Sequence, residues 1–172
     1  MTTITIREAR VSDAPQTHAL MLRALAEPGI FLITTPEEFT YTVDDERKFI
    51  FEHLTTPNSC WFVAEAEPDG VSATTRQIVG VVSCRGYGRE AVTHVTKLGI
   101  TIAAGWRDRG IGGRLLARVA TWARHNLLIK RVELSVMAPN TRAIHLYEKH
   151  GYLIEGVQRG VYHKYLFTYP WD

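Results

Sequence analysis

The chain is poor in cysteine, in net charge and in long apolar runs, and each shortage excludes a class of protein. It has two cysteines, Cys60 and Cys84, each inside an apolar, strand-like run. Two such residues, without C-x-x-C spacing, predict buried free thiols rather than a disulfide framework or a metal site. The formal net charge is only +2 and the basic residues are dispersed, which argues against a nucleic-acid partner. No apolar run approaches the roughly 20 residues of a membrane-spanning helix.

The rest of the composition is that of an ordinary globular protein. Hydrophobic residues make up 45% and charged residues 22% of the 172 positions. At this length we expect a single domain, residues 1–172, with a sizeable core. The N-terminus alternates apolar and polar residues and lacks a signal-peptide core, so we expect a cytoplasmic protein. The histidines are scattered, and His145 and His150 point to different sides of a helix, so no metal is expected.

Hydrophobic periodicity predicts an α/β domain of the α+β type, in the order β-α-α-β-β-β-α-β-α-β-β. We expect a mixed, mostly antiparallel central sheet flanked by helices, because three strands with short connections form a meander and a strand after a helix pairs in parallel. Strands are predicted near 4–6, 60–66, 77–84, 91–102, 131–137, 153–159 and 161–168. Helices are predicted after Ser12 or Asp13, from Asp44 or Asp45, over 112–127, and after an Asn140 cap.

The most informative stretch, 98–113, is an apolar strand, a glycine turn and the start of an amphipathic helix. The first amides of a helix lack intrahelical partners and carry the positive end of its dipole, and glycines let an anion approach them closely. We therefore predict a phosphate site, although a turn that only packs the helix on the strand is an alternative. The stretch fits neither a P-loop nor a dinucleotide fingerprint. It contains Arg107, Arg109, Gly110, Ile111, Gly112 and Gly113, and Arg114 follows.

Two motifs resemble signatures of the GNAT superfamily of N-acetyltransferases. The turn matches [QR]-x-x-G-x-[GA] through Arg107, Gly110 and Gly112. About thirty residues later, N-T-R-A-I-H-L-Y-E-K-H-G-Y resembles the second signature, N-x-x-A-x-x-L-Y-E-K-x-G-[FY]. The resemblance covers roughly 91–159. It implies a GNAT-like fold and acetyl-CoA-dependent N-acetyltransferase activity, with direct transfer to a primary amine in a ternary complex.

The resemblance also implies roles for individual residues. The amides around 109–113 would hold the pyrophosphate of coenzyme A, and exposed main-chain groups of Ile100, Thr101 and Ile102 would pair with the pantetheine arm. The N–H of Ile100 would stabilise the oxyanion. Asn140 would help hold the pantetheine, and Tyr147 would be the general acid for the departing thiolate. From the residues alone, Tyr147 could equally fill the core and Asn140 could be only a helix cap.

The general base is not defined by the resemblance. Many family members carry a glutamate on the strand that enters the glycine turn, but 91–102 contains no carboxylate, and Lys97 stands where a glutamate often precedes L-G-I. His94 has a suitable unperturbed pKa and is expected on this strand. A structural role for His94, with a water chain removing the proton, is the alternative.

The acceptor amine could belong to a small metabolite, an amino-bearing antibiotic or a protein. Acidic residues would suit a cationic acceptor, and Asp44, Asp45 and Glu155 are candidates, although each could equally be a helix-cap or surface charge. Two alternatives to an enzyme are a non-catalytic acyl-CoA-binding regulatory domain and a general nucleotide-phosphate binder. A homodimer is possible, but no interface is indicated.

Overall fold

The computed structural model describes residues 2–68 and 76–160, and its sheet has the predicted mixed, mostly antiparallel character. Five strands are adjacent in chain order, with three antiparallel pairs followed by one parallel pair between the fourth and fifth. The elements are β1 (Thr2–Glu8), α1 (Ala14–Leu25), α2 (Val43–Thr55), β2 (Cys60–Pro68), β3 (Gln77–Gly86), β4 (Val95–Ile102), α3 (Ile111–His125), β5 (Arg131–Glu133) and α4 (Thr141–Lys149).

Some element boundaries differ from the prediction. The segment 153–159 pairs with no described strand, and its expected partner, 161–168, lies outside the described residues. β4 begins only at Val95, because a 3-10 turn precedes it. α2 begins after Thr42 rather than at either aspartate, because Thr42 and Asp45 form a reciprocal capping box: each side chain accepts the other's main-chain N–H, at 3.2 and 2.9 Å.

The sheet has a helical layer on each face, and the two faces receive different strand residues. Side chains alternate between faces along a strand. On the face that we call face A, α1 and α2 pack over a cluster that includes Trp61 and Val81. On the opposite face, face B, α3 packs over Phe62 and Val82. The α4 residue Tyr147 also packs against the face B cluster.

Both cysteines are buried free thiols, as predicted. Cys60 and Cys84 lie directly opposite each other on β2 and β3, in the face B cluster. Burial, with a further contribution from a hydrogen bond to Cys84, raises the pKa of the Cys60 thiol. Cys60 is therefore a packing residue and not a thiolate nucleophile at neutral pH.

Candidate active site

The edge of β4 that faces β5 is open over its second half. Pairing between these strands runs only from Val95 opposite Arg131 to Lys97 opposite Glu133. On its other side, β4 stays paired with β3 as far as Ile102. The two parallel strands thus separate after Lys97, and among the described residues 98–102 have no strand partner on the β5 side. The splayed strand implied by the family resemblance is present.

The hydrogen-bond alternation of the β3–β4 ladder identifies which main-chain groups face this opening. The N–H of Ala103 donates to the carbonyl of Val79 at 2.9 Å, and that of Tyr87 donates to the carbonyl of Val95 at 3.4 Å. Because hydrogen-bonded pairs alternate in an antiparallel ladder, the odd-numbered β4 residues direct their main-chain groups to β3. The N–H groups of Ile100 and Ile102 therefore face the opening.

The alternation also distinguishes the three β4 residues predicted to bind the cofactor. From the sequence we expected the main-chain groups of Thr101 to face the opening. In the structure they are directed to β3 instead. The carbonyl of Ile102 already accepts a hydrogen bond from Arg107 Nε at 3.0 Å. Ile100 keeps a main-chain donor directed into the opening, which is the geometry that an oxyanion or a pantetheine carbonyl needs.

The first turn of α3 leaves its amides available to a ligand. Gly110, at its N-cap, has a φ of +74°, in the left-handed region that glycine adopts without a steric penalty. No described side chain caps α3, whereas the Asn140 side chain caps α4 by accepting from the N–H of Ala143 at 3.2 Å. The α3 amides and the positive end of its dipole therefore have the arrangement that an anion site requires, and the binding of a phosphate there stays a prediction. Asn140 is a helix cap, and its predicted contact with pantetheine stays a prediction.

Gly112 and Gly113 have a different role from Gly110. A Cβ at Gly112 would lie 2.9 Å from Cδ2 of Leu146, and one at Gly113 would lie 2.9 Å from Nε2 of His150. Both contacts are with α4 or the residue just after it. These two glycines therefore let α4 cross close to the start of α3, rather than only clearing space for a phosphate as the sequence suggested. This crossing brings the two signature motifs together.

The three arginines around the turn are held differently. Arg107 donates to the Ile102 carbonyl and forms an ion pair with Glu27 at 2.6 Å, so it braces the turn against the end of α1. Arg114 donates to the carbonyl of Ile4 on β1 at 2.9 Å. Arg109 is exposed, with its guanidinium over the Trp106 ring at 4.9 Å and no acidic partner among residues 2–68 and 76–160. Arg109 is the arginine best placed to meet a phosphate.

Tyr147 lies on α4, half-buried against the same cluster as Ile100. Its ring packs edge-on against Tyr152, with centroids 5.8 Å apart. Burial raises the pKa of Tyr147 to about 12. Its phenol is therefore protonated at neutral pH, which is the form that a general acid requires.

His94 is not on the strand where it was predicted. It is exposed in the turn before β4, and its carbonyl accepts from the N–H groups of Lys130 and Arg131 at 2.9 and 3.2 Å. It precedes Ile100 by six residues, a separation of about 20 Å along an extended chain. The structure therefore does not bring His94 together with the opening of β4.

The three acidic candidates for an acceptor site are engaged elsewhere. Asp44 pairs with Arg47, and Asp45 belongs to the cap of α2, where hydrogen bonds from Thr42 hold its pKa below the usual range. The carboxylate of Glu155 accepts from Arg131 Nη1 at 2.7 Å. They are cap and surface charges, the alternative that the sequence left open.

Among the described residues, no group of three or more histidine, cysteine or acidic side chains could hold a metal ion.

The sequence did not identify a cationic group on face A. Arg85 on β3 lies directly opposite Lys97 on β4, and their positions alternate with those of Val82 and Leu98, which belong to the face B cluster. Only Lys97 carried a signal in the sequence, as a lysine at a position where the family often has a glutamate. Arg85 could have been found only from the register of β3 against β4.

Comparisons with known proteins agree with this geometry. The family model "Acetyltransferase (GNAT) family" matches residues 28–152. A structure of a GNAT-family acetyltransferase from Streptococcus pneumoniae is 29% identical and superimposes with a TM-score of 0.83, covering 95% of this chain and 93% of that chain. The yncA protein of Salmonella typhimurium, solved with its cofactor acetyl-CoA, is 16% identical with a TM-score of 0.72, covers 93% and 88% of the two chains, and shares the fold. This chain belongs to the GNAT family of acetyltransferases.

A curated relative is similar over a shorter region. L-amino acid N-acetyltransferase AaaT of Escherichia coli is 30% identical over 86 residues, which is 50% of this chain and 53% of that protein. The chain thus matches about half the length of this relative.

No described helix is long and apolar enough to cross a membrane.

Proposed function

We propose that this protein transfers an acetyl group from acetyl-CoA to a primary amine by direct attack within a ternary complex. The observation that carries the proposal is the open edge of β4, which runs into a helix N-terminus without a side-chain cap. The opening offers the Ile100 N–H, and the helix offers its first amides with Arg109 beside them. An extended acyl-pantetheine arm ending in a pyrophosphate matches this arrangement of donors.

The residues have distinct roles in the proposed reaction. The α3 amides and Arg109 bind the pyrophosphate, while Arg107 positions the turn through Glu27. The Ile100 N–H holds the carbonyl oxygen as the amine forms the new C–N bond and negative charge develops on that oxygen. Tyr147 donates its phenolic proton to the sulfur as the C–S bond breaks.

Direct transfer is favoured over an acyl-enzyme intermediate because the chain offers no accessible thiol. Its two cysteines are both buried in the core. A protonated amine must lose a proton before it attacks. His94 lies far from the opening, so we assign proton removal to water that exchanges with solvent. The name of the Escherichia coli relative supports a small-molecule amine as the acceptor.

Thermal unfolding with acetyl-CoA, CoA and ADP, all at one concentration that is about 100 times the Kd of acetyl-CoA, tests the cofactor part of the proposal. Such saturation should add roughly 2.7 kcal/mol to the free energy of unfolding. A shift with both CoA forms and little with ADP supports the proposal, and equal shifts with ADP would indicate a general nucleotide-phosphate site.

Steady-state kinetics test direct transfer. Initial velocities at varied concentrations of acetyl-CoA and amine should give intersecting double-reciprocal plots. Parallel plots would indicate an acyl-enzyme intermediate.

A further inference from the structure

Face A is uncovered beside the main-chain donor of β4, at Gly99, and we call this exposed place the Gly99 slot. Gly99 immediately precedes Ile100 and lies opposite Ser83 of β3. Gly99 is exposed, and a Cβ added to it would meet no atom within 4 Å. A glycine opposite a serine thus leaves space on this face, next to the N–H that we assign to the oxyanion. An attacking amine can occupy this slot.

The next pair of residues on the same face carries two like charges. Arg85 and Lys97 are directly opposite in the β3–β4 register, where Cβ atoms lie about 5 Å apart. Like charges in this relation destabilise a sheet. An anion bound between them, two residues from the slot, would offset this repulsion.

The described carboxylates make only a long ion pair with Arg85 and a through-space interaction with Lys97. The nearest carboxylate to Arg85 is that of Glu52, at 4.0 Å, and both side chains are more than half exposed. The Arg85 guanidinium otherwise lies over the Phe49 ring, 5.8 Å from its centroid. Lys97 forms no ion pair within 4 Å among residues 2–68 and 76–160, but its charge contributes to the lowered pKa of Glu133.

The acid nearest to Lys97 in register is occupied by other partners. Glu133 lies opposite Lys97 on β5. One of its oxygens accepts from Arg131 Nε and the other from the Tyr87 hydroxyl, each at 2.9 Å. Because these two donors hold both of its oxygens, the carboxylate of Glu133 acts on Lys97 only through space. Lys97 and Arg85 are both exposed, so an external anion can reach them.

We propose that the acceptor is an α-amino acid, with its amine in the Gly99 slot and its carboxylate held by Arg85 and Lys97. Two residues along a strand span about 7 Å, a distance that these two long side chains can cover by bending toward the slot. The inference rests on the acetyltransferase function proposed above and adds its substrate class. It also gives a reason for lysine at position 97, because an ammonium group there attracts a zwitterion and repels a simple amine.

The test compares acceptors that differ only in the carboxylate. Each standard L-amino acid is assayed with its carboxamide and its decarboxylated amine, and release of free CoA from acetyl-CoA is followed. The free acid should have the highest kcat/KM in each accepted set, by roughly 10- to 100-fold, as expected for charge-assisted hydrogen bonds to a carboxylate. Equal rates for acid, amide and amine would overturn the inference and leave the acetyltransferase function intact. Failure of all acceptors would overturn both.

Variants show whether the two cations are responsible. Arg85→Gln and Lys97→Gln should each raise the KM for the acid about tenfold or more, with the KM for acetyl-CoA unchanged. Lys97→Glu should reverse the preference, favouring the amine without a carboxylate. Arg124→Gln, an exposed arginine on α3, is the matched control. An unchanged preference for the acid in both glutamine variants would overturn the inference.

A readout independent of activity is available in the free protein. Because Arg85 and Lys97 repel each other, Lys97→Gln should raise the unfolding temperature slightly, by about 1 °C. The acid substrate should then stabilise the wild type in the presence of CoA but not the variant. Equal stabilisation of both proteins would contradict a carboxylate contact at Lys97.

Discussion

The open edge of β4 and its face A side differ in how their residues come together. The edge leads into a turn set by neighbouring residues: a left-handed Gly110 and an α3 start without a cap from any side chain that the structure describes. The face A side depends on register, since Arg85 and Lys97 meet only because β3 and β4 pair as they do. The proposed cofactor region is thus a local motif that a sequence displays directly, and the proposed acceptor region is a product of tertiary structure.

The largest expected effect comes from the proposed general acid. Tyr147→Phe should lower kcat about 100-fold or more, because it removes the proton donor to the leaving sulfur, while the KM for acetyl-CoA changes little. Tyr152→Phe is a matched control: its ring packs against Tyr147, and burial likewise raises the pKa of Tyr152 to about 12. Steady-state kinetics of both variants separate proton donation from packing.

Equal losses of kcat in the two phenylalanine variants would mean that Tyr147 acts through packing alone.

His94→Ala should leave more activity than Tyr147→Phe, because His94 is exposed and far from the opening. The reverse order in kcat/KM would make His94 the better candidate base.

The turn should be the next most sensitive feature. Gly110→Ala forces a Cβ into the left-handed region at a cost of about 1–2 kcal/mol, and it should raise the KM for acetyl-CoA several-fold. No atom lies within 4 Å of a Cβ at Gly110, so crowding cannot explain the result. Gly105→Ala is the control, with equally open space and no positive φ. Urea unfolding and acetyl-CoA titration that gave the same values for both variants would contradict a conformational role for Gly110.

A smaller effect should separate the arginines of the turn. Arg109→Gln should raise the KM for acetyl-CoA about fivefold, in line with about 1 kcal/mol for an exposed charge, and the difference should shrink at high salt. Arg114→Gln should leave this KM almost unchanged, because Arg114 is committed to the Ile4 carbonyl. A larger change in Arg114→Gln than in Arg109→Gln would reverse the assignment of the phosphate contact.

The smallest effect concerns the helix pair on face A. Burial raises the pKa of Glu46, with a hydrogen bond from Thr17 opposing the shift. A raised folded-state pKa favours folding while the carboxyl is protonated, so this contribution is complete below the ordinary glutamate pKa and is lost as pH rises through the folded value. Glu46→Gln should therefore gain stability relative to wild type between pH 4 and pH 7. Urea unfolding at pH 4 and pH 7 measures the free energy of unfolding of both proteins. If the variant exceeded the wild type by more at pH 4 than at pH 7, the predicted direction would be wrong.

The sequence predicted the family, the mixed sheet and the two signature motifs because each depends on short-range patterns. The Asn140 cap, the glycine turn and the parallel β5 all follow from local residue types. The sequence wrongly placed His94 on β4, because apolar periodicity cannot mark where a 3-10 turn ends and a strand begins. The sequence assigned Gly112 and Gly113 to ligand approach or to packing of α3 on β4 and missed α4, because their contacts with α4 are tertiary. It also offered acidic residues for the acceptor, whereas the register brings cations together on face A.

The central claim is that the β4 opening catalyses acetyl transfer to an amine, and product analysis tests it most directly. Wild-type protein is incubated with acetyl-CoA and a mixture of L-amino acids and primary amines without a carboxylate, and free CoA and N-acetylated products are quantified together. The account predicts equal amounts of CoA and N-acetyl product, with both strongly reduced in Tyr147→Phe. Binding of acetyl-CoA without any N-acetylated product would contradict it and would favour a non-catalytic acyl-CoA-binding domain.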